Sequence, residues 1–125
     1  MVLVTGGAFQ GKREIAKGLA GSLTGCVEGK DADLAILCKA PVILHLEDWI
    51  AGELKNGRDP HQGVDRLLAE NKTAVITLTE LGCGIVPVDA FDRSFRETTG
   101  RIGCRLAGEA EAVYRVICGI PSRIK

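Results

Sequence analysis

Aromatic side chains are scarce: one Trp, one Tyr and three Phe in 125 residues. That excludes the stacking platform on which many proteins hold single-stranded nucleic acid. A surplus of one charge is also missing. Sixteen basic and sixteen acidic side chains cancel, so no electrostatic case exists for nucleic acid or an anionic membrane as partner. No run of about 18 apolar residues occurs, so no membrane-spanning helix is expected. Cysteine pairs of the C-x-x-C type are absent. Cys26, Cys38, Cys83, Cys104 and Cys118 are widely spaced and odd in number. This excludes a clustered zinc site and reads as free thiols, several buried as small apolar groups. Cys83 stands apart because glycines flank it. No basic segment precedes the first apolar residues, which stop at glycines. They read as a first strand rather than a secretion signal, and the expected compartment is the cytoplasm.

What is present suffices for one domain over residues 1–125, with 46% of the chain apolar. Residues 2–5 read as a short buried strand stopped by Gly6. Residues 12–23 read as a helix with Ile15, Leu19 and Leu23 on one face and Gly25 at its end. A weak strand follows at 26–27, then a short helix capped by Asp31 or Asp33. Residues 42–46 form a second clear strand, and Asp48 is the expected cap of a helix carrying Trp49, Ile50 and Leu54. Residues 55–60 have turn chemistry, and helix resumes over 64–68. A third strand spans 73–78. The loop 82–87 follows, then a long helix from Asp89 to about Gly108, with Phe91, Phe95, Ile102 and Leu106 facing the core. Residues 113–118 are the last expected strand and 121–125 a tail. Strands alternating with helices, apolar on both faces, predict a three-layer α/β domain with a mainly parallel sheet flanked by helices.

The sharpest local signal lies between the first strand and the first helix. Gly6, Gly7, Ala8, Phe9, Gln10, Gly11 and Lys12 have the spacing G-x-x-x-x-G-K. In that setting the motif is a phosphate-binding P-loop. Glycines let consecutive backbone N–H groups face one point, and the helix N-terminus adds positive potential. Lys12 then reaches the terminal phosphates. The plainer alternative is a tight strand-to-helix turn. Arg13 stands where Ser or Thr would offer a hydroxyl to Mg²⁺. A guanidinium has no lone pair to give, so no metal ligand is assigned, and a cation takes the place of a cation. His45, at the end of the second strand, is a poor partner for Mg²⁺ and reads as bonded to the backbone. Glu47 or Asp48 is available for the missing carboxylate role, and both also suit a helix start.

The C-terminal half carries TELGCGIVP, FRETTGR and GIPSRIK. Glu80, Gly82, Gly84, Ile85, Val86 and Pro87, then Phe95, Arg96, Gly100, Arg101, Leu106 and Ala107, then Gly119, Ile120, Pro121 and Lys125 form the pattern. With the N-terminal VTGGAFQGK, this resembles the bifunctional adenosylcobinamide kinase/adenosylcobinamide-phosphate guanylyltransferase family of cobalamin biosynthesis, as a shortened and divergent member. The resemblance implies a P-loop NTPase-like fold, ATP or GTP as substrate at Gly6–Arg13, a corrinoid as acceptor, and a homo-oligomer, commonly a trimer. It gives Lys12 and Glu80 as catalytic candidates. The segment between the first helix and the second strand holds no histidine, so the family's guanylyl acceptor has no counterpart there. Thr79 replaces an Asn, and Gly103-Cys104 replaces an Asn-Gln pair. These changes leave two readings: a kinase-like enzyme, or a catalytically impaired nucleotide-binding or regulatory relative. A scaffold that binds no nucleotide is the third.

Overall fold

A computed structural model describes residues 1–21, 24–82 and 88–125. Its sheet has six strands in the order β2-β3-β4-β1-β5-β6. β1 is Val2–Gly6, β2 Cys26–Glu28, β3 Val42–Leu44, β4 Val75–Thr79, β5 Ala112–Ile117 and β6 Ile120–Arg123. The first five run parallel, and β6 returns antiparallel to β5. The helices are α1 (Lys12–Ala20), α2 (Leu34–Leu37), α3 (Leu46–Lys55), α4 (Pro60–Glu70) and α5 (Ala90–Glu109).

Strand order dictates the layers. The β1-to-β2 crossover runs toward one edge of the sheet, and every later crossover runs the other way. Right-handed crossovers of opposite direction put their helices on opposite faces. α1 therefore stands alone on one face, where Ala16 packs with Val4, Val42, Leu44, Val75 and Val116. The other four helices cover the second face, where Trp49, Ile50, Leu67, Ile102 and Leu106 pack on Leu3, Ile43, Ile76 and Val113. Neighbouring strand residues separate cleanly between these clusters, as the two-residue strand period requires. This is the expected three-layer α/β arrangement.

Several boundaries differ from expectation. β3 stops at Leu44 and His45 turns the chain through a left-handed conformation, φ 54°. Its N–H donates to Thr77 Oγ1 at 2.7 Å, and α3 starts at once. Asp48 is thus not the cap but a first-turn residue. Of the two proposed caps for α2, Asp33 accepts from Ile36 N–H, while Asp31 lies in the preceding 3-10 turn. α4 begins at Pro60 with Asp59 as its cap, four residues ahead of the expected start at 64. α1 ends at Ala20 on a left-handed Gly21, not Gly25. Leu19 is exposed rather than part of a buried stripe, and Leu23 lies outside the described residues. So do Cys83 to Pro87, which hold most of the loop singled out above. The supposed tail is β6, an exposed edge strand whose Pro121 is tolerated there.

Candidate functional site

β1 leaves the sheet toward one side, and the β4-to-β5 connection passes to the other. Such a reversal opens a crevice beyond the carboxyl ends of the strands. Three loops meet there. Gly6 pairs in register with Thr79, so the glycine loop after β1 and the segment after β4 emerge side by side. Glu80 N–H donates to Gly6 O at 3.0 Å. The His45 turn after β3 supplies the third wall.

The glycine loop is held by its neighbours. Gly6 has φ 144°, and a Cβ there would lie 2.4 Å from Val116 O. Gly11 closes the loop at φ 93° and starts α1. Gln10 ties the loop to the β5–β6 hairpin: Cys118 N–H donates to its side-chain oxygen at 2.7 Å. Gly119 N–H donates to its backbone oxygen at 2.8 Å. Phe9 projects fully into solvent.

Lys12 is 4% exposed, and its ammonium donates to Gly7 O at 2.7 Å. Burial pulls its pKa below the usual lysine value, while the carboxylates of Glu47 and Glu80 push it back up. Of the sequence-derived residues, Gly6 ends β1, Gly7, Ala8, Phe9, Gln10 and Gly11 form the loop, and Lys12 and Arg13 open α1, with the Lys12 ammonium folded back over the loop. Glu80 follows β4 at its carboxyl end. It makes a two-point ion pair with Arg115, both contacts at 3.0 Å. Arg13 pairs with Glu28 at the end of β2, so its charge is directed at that carboxylate.

Glu47 is the residue that the sequence analysis left as one of two alternatives. The left-handed turn at His45 swings it inward, leaving it 6% exposed. Thr79 N–H donates to its Oε2 at 3.1 Å, and His45 Nδ1 lies 3.1 Å from Oε1. Asp48 beside it is exposed, yet partial desolvation and the Glu47 charge push its pKa above the usual carboxylate range. Lys12, Arg13, His45, Glu47, Asp48 and Thr79 share one cavity of about 450 Å³, with Phe9, Leu81 and Phe95 as apolar walls. His45, Thr79 and Phe95 belong to this wall, and no local motif joins them to the glycine loop.

Among the described residues, no cluster of three or more His, Cys, Asp or Glu could hold a metal alone. Magnesium that arrives with a triphosphate needs less: one or two carboxylates beside phosphate oxygens and water. Asp48 fits that demand, since burial and the Glu47 charge raise the cost of its own charge and a cation relieves it. Arg13 does not fit it. No helix among the described residues is long and apolar enough to cross a membrane.

Comparison with known proteins agrees with this architecture. The family model described as cobinamide kinase / cobinamide phosphate guanyltransferase matches residues 41–124, more than half of the chain. The bifunctional adenosylcobalamin biosynthesis protein CobU of Salmonella typhimurium is 43% identical over 51 residues, 41% of this chain. The protein of the same name from Escherichia coli is 41% identical over 51 residues, again 41% of this chain. The matched stretch spans 28% of the length of each relative. The glycine loop lies ahead of the matched residues, whereas β3, β4, α5, β5 and β6 lie within them. The chain belongs to the cobinamide kinase / cobinamide phosphate guanyltransferase family.

Proposed function

We propose that the chain binds ATP or GTP at Gly6–Lys12 and transfers the terminal phosphoryl group to a hydroxyl of a corrinoid. The observation that carries this reading is the meeting of Lys12 and the buried Glu47 in one cavity at the strand ends. Backbone N–H groups of the loop and the Lys12 ammonium bind the phosphates. Glu47, oriented by Thr79 N–H and by His45, accepts the proton of the attacking hydroxyl. The new bond joins the acceptor oxygen to the terminal phosphorus. The bond from that phosphorus to the bridging oxygen breaks, and a nucleoside diphosphate leaves. Asp48, exposed beside Glu47, would hold a magnesium ion arriving with the nucleotide, which would supply charge neutralisation and alignment.

The test is product formation from adenosylcobinamide with ATP and with GTP, with Mg²⁺ and in EDTA. Phosphorylated product is expected with at least one nucleotide in Mg²⁺. Its absence under every condition rejects the transfer. Glu47→Gln is expected to lower the rate about 100-fold or more while nucleotide affinity stays within a few-fold. An unchanged rate removes Glu47 from the mechanism.

A second reading rests on position 13. Arg13 offers no metal ligand and is ion-paired with Glu28, which favours a relative that binds nucleotide without transferring phosphate. That reading requires equal nucleotide affinity in Mg²⁺ and in EDTA, together with no product. A titration that shows a large gain in Mg²⁺ rejects it.

A further inference from the structure

Two cations line the cavity from the start of α1, and they are held differently. Lys12 Nζ donates to a neutral carbonyl, Gly7 O, so it is already turned toward the glycine loop. Arg13, the next residue, donates from Nη2 to a carboxylate, Glu28 Oε1. Glu28 is the last residue of β2 and pairs in register with Leu44, the residue before the His45 turn. Its carboxylate therefore stands at the strand ends on the β3 side of the cavity. Its charge reaches Asp48, whose pKa is raised by burial, by Glu47 and by Glu28. Arg13 and Asp48 line the same cavity, yet the carboxylate that Arg13 takes is Glu28.

This pair bears on which form of a polyphosphate the loop accepts. A guanidinium is planar, weakly hydrated and suited to two-point contact with phosphate. One residue beyond the phosphate lysine, a free Arg13 would neutralise a bare polyphosphate and make a metal ion dispensable. Glu28 opposes this, because a phosphate must displace its carboxylate to reach the guanidinium. A triphosphate that carries magnesium brings its own cation, so it gains less from Arg13 and loses less to Glu28. Selectivity of this kind comes from an element set against the wrong ligand. We infer that Glu28 is a specificity-determining residue of the phosphate site: by holding Arg13 it disfavours metal-free polyphosphate and selects the magnesium-bearing form. The inference rests on the transfer reading above for the use of that form, and on the Arg13–Glu28 pair for the selection itself.

The probe is inorganic triphosphate, titrated calorimetrically in EDTA and in Mg²⁺. The wild-type chain is expected to bind it more tightly in Mg²⁺. Glu28→Gln is expected to tighten binding in EDTA about fivefold, the scale of an exposed ion pair, and to change binding in Mg²⁺ by no more than about twofold. The side chains of Arg13 and Glu28 are 46% and 25% exposed, so an amide replaces the carboxylate without emptying the core. In the double variant, Glu28→Gln with Arg13→Gln, the gain in EDTA is expected to disappear. Equal affinity of wild type and Glu28→Gln in EDTA overturns the inference. So does a gain that persists undiminished in the double variant, because it then comes from the lost carboxylate and not from the released guanidinium. An equal gain in Mg²⁺ and in EDTA overturns it too, since Glu28 then discriminates nothing. Product formation from adenosylcobinamide separates this from the transfer reading. A gain confined to EDTA, with no product in Mg²⁺, leaves Glu28 its role and removes the transfer. Product in Mg²⁺ without that gain does the reverse, and no triphosphate binding by any of these chains removes both.

Discussion

His45 decides what Glu47 does. In the sequence, Val42 to Leu46 is an unbroken apolar run apart from one histidine, and nothing local says where the strand ends. The end is set from outside: Thr77, on the neighbouring strand, accepts the His45 N–H, and the chain turns left-handed there. A side chain that alternation would have kept on a strand face instead enters the first turn of a helix, buried beside Lys12. The P-loop spacing was readable because its meaning is local. The choice between Glu47 and Asp48 for the carboxylate was not, because it depends on a contact between residues 32 apart. Asp48 gives a prediction at this scale. Its pKa is raised in the folded chain, so the folded state binds more protons than the unfolded one above the ordinary Asp range. Stability therefore falls as pH rises through that window. Asp48→Asn removes the penalty. It is expected to stabilise the ligand-free chain at pH 7 by about 0.5 kcal/mol, allowing for solvent screening of an exposed group. The gain should vanish near pH 3. Urea unfolding at the two pH values measures it, and a larger gain at pH 3 would reverse the sign.

Among the elements, the β5–β6 hairpin departs most from the sequence reading. Every residue of β6 is exposed, so there was no buried alternate position for periodicity to detect. The helices were more legible, since α5 has an acidic cap at Asp89 accepting from Asp92 N–H and a clear apolar stripe. The unexpected hairpin has a job: its turn braces the glycine loop through Gln10, and its partner strand leaves no room at Gly6. Gly6→Ala forces a methyl against Val116 O in a backbone conformation that alanine disfavours. A loss of about 3 kcal/mol or more in folding free energy is expected, read by urea denaturation. Gln10→Ala is milder, since the residue is partly exposed. It should cost about 1 kcal/mol and speed amide exchange at Cys118 and Gly119, with the core strands unaffected. Unchanged exchange at those two amides would show that the brace carries no strain.

At the scale of the molecule, two kinds of information meet. Family resemblance covers residues 41–124, and the glycine loop lies before them, so only the sheet joins the two. The join is the parallel pairing of β1 with β4, which sets Gly6 against Thr79 and brings Lys12 within electrostatic reach of Glu47 and Glu80. A polyphosphate placed here contacts loops after β1, β3 and β4 at once, and none of these contacts survives unfolding. Nucleotide at 100 times its dissociation constant then adds about 2.7 kcal/mol to the folded state. For a chain of this length that is a rise in Tm of roughly 10 °C. Lys12→Ala should abolish the rise, because the buried ammonium over the loop is gone, while leaving the ligand-free melting temperature within a few degrees. Scanning calorimetry with ATP, with GTP and with inorganic triphosphate, each in Mg²⁺ and in EDTA, measures this. Equal shifts for all three ligands mean that the phosphates alone supply the binding energy. A shift that persists unchanged in Lys12→Ala means that the ligand binds elsewhere, and the loop between β1 and α1 is then only a turn.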